Sequence, residues 1–174
     1  VTDQYNQIAN VYDRRWKRYV TNTLNFFKAW AEIAPTAAVL DIACGTGELE
    51  RLLLQNNPTQ IITGIDISEQ MLVQAQQKLE RYPNITFKEA SASDLPFPAQ
   101  SFDVVVSANA FHYFSDPQAA LAEMKRVLKP EGKLVILDWC RDFWFCRLCD
   151  WVLQRIDPAH QQCYSEAELH TLLE

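Results

Sequence analysis

Val39-Leu40-Asp41-Ile42-Ala43-Cys44-Gly45-Thr46-Gly47-Glu48-Leu49 is the stretch that decides the fold. An apolar run ends in an acid and a loop with two glycines, and Leu49 through Leu54 resume apolar residues at helical spacing, which reads as strand, tight turn, helix. The chain has only four glycines, well below the roughly 7% of average usage, and two of them fall in this turn. Glycine is needed where the backbone takes a positive φ or must come close to a ligand. The concentration therefore marks the entry to a nucleotide-type site.

The same alternation continues outward. Pro35 sets off a short buried strand, Ala37 to Ala43, and the helix after the glycine turn reaches about Gln55. Gln60 to Ile67 reads as a second strand, and Ser68 as the N-cap of a helix carrying Met71, Leu72, Ala75 and Leu79. Ile85 to Glu89 is a third, more polar strand suited to a sheet edge. After a loop with Asp94, Pro96 and Pro98 comes a fourth, Phe102 to Ser107; Asp116 caps a helix through Leu128. Lys129 to Gly132 reads as a turn into a fifth strand, Lys133 to Trp139. Strand and helix in this order predict an α/β, doubly wound and mainly parallel sheet with right-handed crossovers.

Upstream, residues 3–33 carry apolar side chains at spacings of three and four, predicting one or two amphipathic helices; Arg14, Arg15, Lys17 and Arg18 read as a solvated basic face. Downstream, residues 140–151 are dense in aromatic and thiol side chains, with a helix expected over about 142–156. Ser165 and Glu168 have capping-box spacing and open a final helix running to the end. The expectation is one domain over 1–174: a helical N-terminal cover (1–34), a ligand-binding core (35–139) and a helical C-terminal part (140–174).

Composition narrows the function. The length of 174 residues and 48% apolar content suit one domain with a sizeable core. The net charge of −6 is the wrong sign for broad binding to a nucleic-acid backbone. No apolar run approaches the ~18 residues of a membrane span, and no signal-peptide pattern opens the chain. Five cysteines, an odd number, fit reduced thiols, and the expected location is cytoplasmic. A homodimer stays open.

Ligands of doubly wound sheets bind outside the carboxyl ends of the strands, where strand order reverses. That brings together Asp41 to Gly47, Asp66, and Ser107 to His112. A dinucleotide fingerprint needs three glycines, and here Ala43, Gly45 and Glu48 occupy the positions, so the first and third fail. Glu48 also places a carboxylate at a helix start, where a diphosphate would lie. Asp66, at the end of the second strand, is where an acid accepts ribose hydroxyls. A nucleoside without phosphates follows.

The runs V-L-D-I-A-C-G-T-G, G-I-D-I-S, A-S-A-S-D-L-P-F, F-D-V-V-V-S-A-N-A-F-H-Y-F and L-K-P-E-G-K-L-V-I-L-D together resemble the class I S-adenosylmethionine-dependent methyltransferases, nearest the small-molecule branch with the quinone-biosynthesis (ubiquinone/menaquinone) methyltransferases. The resemblance runs from about Tyr5 to Asp138 and implies a Rossmann-like sheet of order 3-2-1-4-5. It also implies S-adenosylmethionine as cofactor, S-adenosylhomocysteine as product, and methyl transfer to a small apolar or aromatic acceptor by in-line displacement. By the same resemblance Asp41 orients the methionine amino group, with Ala43, Gly45 and Gly47 alongside it. Asp66 takes the ribose, Ile67 and Met71 pack on adenine, Asp94 and Leu95 meet the adenine amine, Asn109 borders the methionine end, and Tyr5 and Tyr12 help cover the cofactor.

The chain departs from that pattern twice. Ala43 replaces a common first glycine, and the sequence stops before the family's antiparallel strands six and seven, leaving the fifth-strand side uncovered. A base is needed only if the acceptor loses a proton, and His112 is the candidate by position. Cys140, Cys146, Cys149, His160 and Cys163 contain half of a zinc pattern, but packing is the preferred reading and no metal ligand is assigned. Two alternatives stand beside catalysis: a non-catalytic cofactor- or partner-binding module, and thiol-based metal or metalloid handling by the late cysteines.

Overall fold

A computed structural model describes residues 2–173. Its first element is one continuous helix, α1 (Thr2–Ala31), unbroken because no glycine or proline occurs before Pro35. Five strands follow: β1 (Ala38–Ile42), β2 (Ile61–Asp66), β3 (Ile85–Glu89), β4 (Phe102–Ala108) and β5 (Leu128–Leu137). Between and after them lie α2 (Glu48–Asn56), α3 (Glu69–Leu79), α4 (Pro117–Val127), α5 (Trp144–Ile156) and α6 (Glu166–Leu173). The sheet order is β3-β2-β1-β4-β5 with every pair parallel, which is the order the sequence led us to expect. The final helix is described to Leu173; Val1 and Glu174 lie outside the described residues.

The alternation of β1 and β4 divides the core in two. Val39, Val104 and Val106 face α1, α2 and α3, meeting Phe27, Leu49, Leu53 and Leu79. Leu40, Ile42 and Val105 face α4, meeting Leu121 and Met124. With a period of two, Asp41 shares the face of Val39 and so points toward α2. Caps fix the helix entries: Met71 N donates to Ser68 Oγ, and Ala119 N donates to Asp116 Oδ1. Ser165 and Glu168 form the reciprocal pair of a capping box, Glu168 N donating to Ser165 Oγ and Ser165 N to Glu168 Oε2.

One boundary differs from the sequence reading. β5 starts at Leu128 instead of Lys133, because Leu128 pairs with Phe102 before residues 129–132 loop out and pairing resumes at Lys133 opposite Val104. Pro130 sits in this irregular part, where its missing N–H breaks no ladder bond. Beyond β5 the expected exposure is seen: Phe143, Trp144, Phe145, Leu148 and Trp151 are each at least half exposed. Among the described residues, no strand pairs with the outer edge of β5 and no helix is long and apolar enough to cross a membrane.

Candidate functional site

The carboxyl ends of β1, β2 and β4 open into a cleft of about 230 Å³ that α1 crosses from above. After β1 the chain turns sharply, with Ala43 at φ 61°, Gly45 at 55° and Gly47 at 75°. The two glycines do different jobs. A Cβ built on Gly45 meets nothing within 4 Å, so this residue leaves its side open, whereas one on Gly47 would come within 3.0 Å of Ala75 Cβ and 3.2 Å of Leu79 Cδ1. Gly47 thus serves the close packing of the α2 start on α3. Ala43 is an alanine held in the left-handed region, so its cost lies in backbone strain and not in methyl bulk.

Asp66 anchors this turn. Gly45 N donates to its Oδ2 at 2.8 Å and Ser68 N to its Oδ1 at 2.9 Å. Burial raises its pKa, and these backbone N–H groups oppose the rise by favouring the ionised form. Each carboxylate oxygen keeps a further lone pair for a ligand hydroxyl. Tyr12, Asp41, Ala43, Gly45, Asp66, Ile67, Met71 and Asn109 all line the cleft, as does Tyr5.

Asn109 reaches the cleft with its amide already engaged by α1. Tyr19 Oη donates to its Oδ1 at 2.8 Å, and its Nδ2 donates to Thr23 Oγ1 at 3.2 Å. Burial pushes the Tyr12 and Tyr19 phenols up to about 12, so both stay protonated donors.

Four expected residues fall elsewhere: Gly47 is turned to the α2–α3 packing and is outside the cleft lining, and three more lie away from it. Asp94 is exposed, and Leu95 is a core side chain whose N–H donates to Glu123 Oε2 while its carbonyl accepts from Arg126 Nη2; Ser91, Ala92 and Ser93 line the cleft in their place. His112 is buried outside the cleft lining. Its Nδ1 lies 2.6 Å from Asp138 Oδ1, and its ring packs on Tyr113 and His160. Asp138 therefore fixes the orientation of this imidazole, at a remove from the cleft.

Sequence reading missed the latch that holds α1 down. Thr46 Oγ1 donates to Asp13 Oδ1 at 2.5 Å, and Lys78 Nζ bridges Asp13 (2.6 Å), Thr46 (3.2 Å) and Glu48 (3.4 Å). Ser68 Oγ also donates to Asn6 Oδ1 at 2.6 Å. Asp13, beside Tyr12, and Lys78, one residue before Leu79, carried no motif signal. Glu48 is paired with both Arg51 and Lys78, so its charge is largely compensated at the helix start; the acids left facing the cleft are Asp41 and Asp66.

A second, more apolar cavity of about 400 Å³ adjoins the first at Asn109, walled by Tyr19, Leu137, Trp139, Phe143 and Phe145. Cys140 and Cys146 border it, whereas Cys163 is buried with Asp150 and His160. In that group Asp150 Oδ1 lies 2.7 Å from His160 Nε2 and accepts from Cys163 N at 2.7 Å. Two donors on one zinc at 2.0–2.1 Å would stand about 3.4 Å apart, so the Asp150–His160 spacing is that of a hydrogen bond closing the C-terminal segment.

A protein-family model described as a methyltransferase domain matches residues 40–136, a span that runs from within β1, through the glycine turn, to near the end of β5. The chain belongs to this methyltransferase family. A demethylmenaquinone methyltransferase of Thermus thermophilus is 39% identical over 128 residues, covering 73% of this chain and 55% of that protein. A ubiquinone/menaquinone biosynthesis C-methyltransferase of Geotalea daltonii is 34% identical over 131 residues, covering 73% and 53%. The chain thus spans about half the length of these curated relatives. Among solved structures, the YcgJ protein of Bacillus subtilis superposes with a TM-score of 0.76 at 28% identity, over 87% of this chain and 66% of that one.

Proposed function

We propose that this domain is an S-adenosylmethionine-dependent methyltransferase acting on a small apolar or aromatic acceptor of the quinol class. The observation that carries the reading is the Asp66 carboxylate clamped to Gly45 N at the cleft, with Asp41 facing the same space. Two features fit the cofactor: Gly45 leaves open room beside the turn, and the Asp41 carboxylate lines the cleft. The ligand they suit has hydroxyls for Asp66 and a cation for Asp41. Ile67 and Met71 offer the apolar floor for a base.

When bound, S-adenosylmethionine supplies a sulfonium methyl that is already activated. The chain's part is alignment and exclusion of water. Tyr5 and Tyr12 on α1, held by the Asp13–Lys78–Thr46 latch, roof the cleft. Asn109, tied to Tyr19 and Thr23, forms the wall shared with the apolar cavity. Leu137, Trp139 and Phe145 suit a flat apolar acceptor there, and quinone-type relatives favour that class. His112, oriented by Asp138, is at most a positioning residue from its buried place. Methyl transfer from radiolabelled S-adenosylmethionine to a panel of quinol, phenol and amine acceptors tests the proposal. Labelling of a quinol is the expected result; cofactor binding without transfer to any acceptor would favour a non-catalytic binding module.

A further inference from the structure

Beneath the glycine turn lies a second carboxyl that the proposed reaction does not use. Glu50 is fully buried on the face of α2 that packs against the sheet, and among the described residues neither of its carboxyl oxygens has a hydrogen-bond donor. Asp41, 3% exposed, has one such oxygen. Alternation along β1 turns Asp41 toward α2, and the two carboxyls come within hydrogen-bonding reach of each other. The strand opposite makes room: Gly64 pairs with Asp41 in register, and a Cβ there would stand 2.7 Å from Glu50 Oε1. Three orphan carboxyl oxygens in one closed space leave an obvious bond unmade, because two ionised carboxylates repel whereas an acid and a carboxylate hydrogen-bond strongly.

We propose that Asp41 and Glu50 share one proton, and that Glu50 is a positioning residue whose carboxyl holds Asp41 toward the cleft and couples cofactor binding to proton release. This rests on the proposed role of Asp41 at the methionine ammonium. That cation favours the ionised pair, so binding expels the shared proton wherever the pair is still protonated.

Every charged group around the pair sets its titration. Burial, Glu50 and Asp66 of β2 raise Asp41, in that order. Burial lifts Glu50 from an ordinary 4.5 to about 7, opposed by its own backbone amide, by the neighbouring Asp41 carboxyl and by the Lys78 ammonium on α3, while Asp66 adds to the rise. Cys44, in the loop after β1, is itself pushed up by burial and by the three acids, so it stays a neutral thiol. Lys78 is shared with Asp13 and Glu48. Because the folded pair holds its proton more tightly than the unfolded chain does, its contribution to stability is fully present below about pH 4.5 and is lost as pH rises through about 7.

The test uses S-adenosylhomocysteine, which keeps the ammonium, and adenosine, which lacks it. Titration calorimetry between about pH 5.5 and 8, in buffers of different ionisation enthalpy, counts the protons exchanged. For the wild type, S-adenosylhomocysteine should bind up to about tenfold more tightly per pH unit with proton release, flattening above about pH 7, while adenosine shows neither effect. Glu50→Gln keeps a donor to Asp41 but cannot titrate; it should bind at neutral pH with a flat profile and no proton release. Binding with the same pH profile in wild type and Glu50→Gln would overturn the proposal. Failure of both ligands to bind at any pH would instead remove the cofactor reading. In that case urea denaturation still decides the shared proton: wild-type stability falls from pH 5 to 8 and that of Glu50→Gln does not, and equal slopes would refute it.

Discussion

Replacing Gly45, Gly47 and Ala43 one at a time separates the roles inside the turn. All three sit at positive φ. For Gly47→Ala, left-handed strain costs roughly 1–2 kcal/mol, offset by about 0.4–1 kcal/mol from the stiffer unfolded chain. The new methyl, 3.0 Å from Ala75 Cβ and 3.2 Å from Leu79 Cδ1, adds roughly 1–3 kcal/mol of overpacking, for a net loss of about 1–4.6 kcal/mol. Gly45→Ala carries the strain without the collision, so it should lose only about 0–1.6 kcal/mol. Ala43→Gly relieves strain at the cost of a freer unfolded chain and should gain up to about 1 kcal/mol. Urea denaturation with a common slope resolves the three, since 1 kcal/mol moves the midpoint by about 0.3–1 M. In ligand binding the order reverses: Gly45→Ala puts its methyl at the cleft lining and should weaken nucleoside binding the more. A Gly45→Ala loss of stability equal to or greater than that of Gly47→Ala would refute this division of labour.

Other substitutions probe the supports. Ser68→Ala removes the cap on Met71 N and the bond to Asn6, and should cost about 1 kcal/mol in denaturant midpoint. Phe27→Ala empties a fully buried site that joins α1 to the sheet; a loss of about 3–5 kcal/mol is expected by thermal or urea unfolding. Lys78→Met unlatches Asp13 and Thr46 from α3, and should raise proteolytic cleavage within α1 while leaving the sheet protected from hydrogen exchange.

The strands were legible because most are short apolar runs bounded by turns, and the family resemblance implied their order, which the packing matches. Ser68, Asp116 and the Ser165–Glu168 box needed only neighbouring residues, so sequence sufficed. What depended on register or on distant partners was hidden. Nothing in the spacing reveals that Gly64 stands opposite Asp41 and makes room for Glu50, since that requires the β1–β2 pairing and the α2 rotation together. Leu95 carried a motif signal for the cleft, but Glu123 and Arg126, some thirty residues later, claim its backbone groups and draw it into the core. The turn expected at residues 129–132 is present as an outward loop, yet Leu128 begins pairing before it because Phe102 offers a free ladder position. His112 follows the fourth strand as expected, and Asp138 at the end of β5 turns it inward.

The most direct measurement is calorimetric titration of S-adenosylmethionine into the wild-type domain and into Asp66→Ala. A single saturable site is predicted, weakened at least about tenfold by the substitution, or about 1.4 kcal/mol, with the variant still folded by circular dichroism. No binding to the wild type, or equal affinity in both proteins, would contradict a cofactor cleft organised by Asp66.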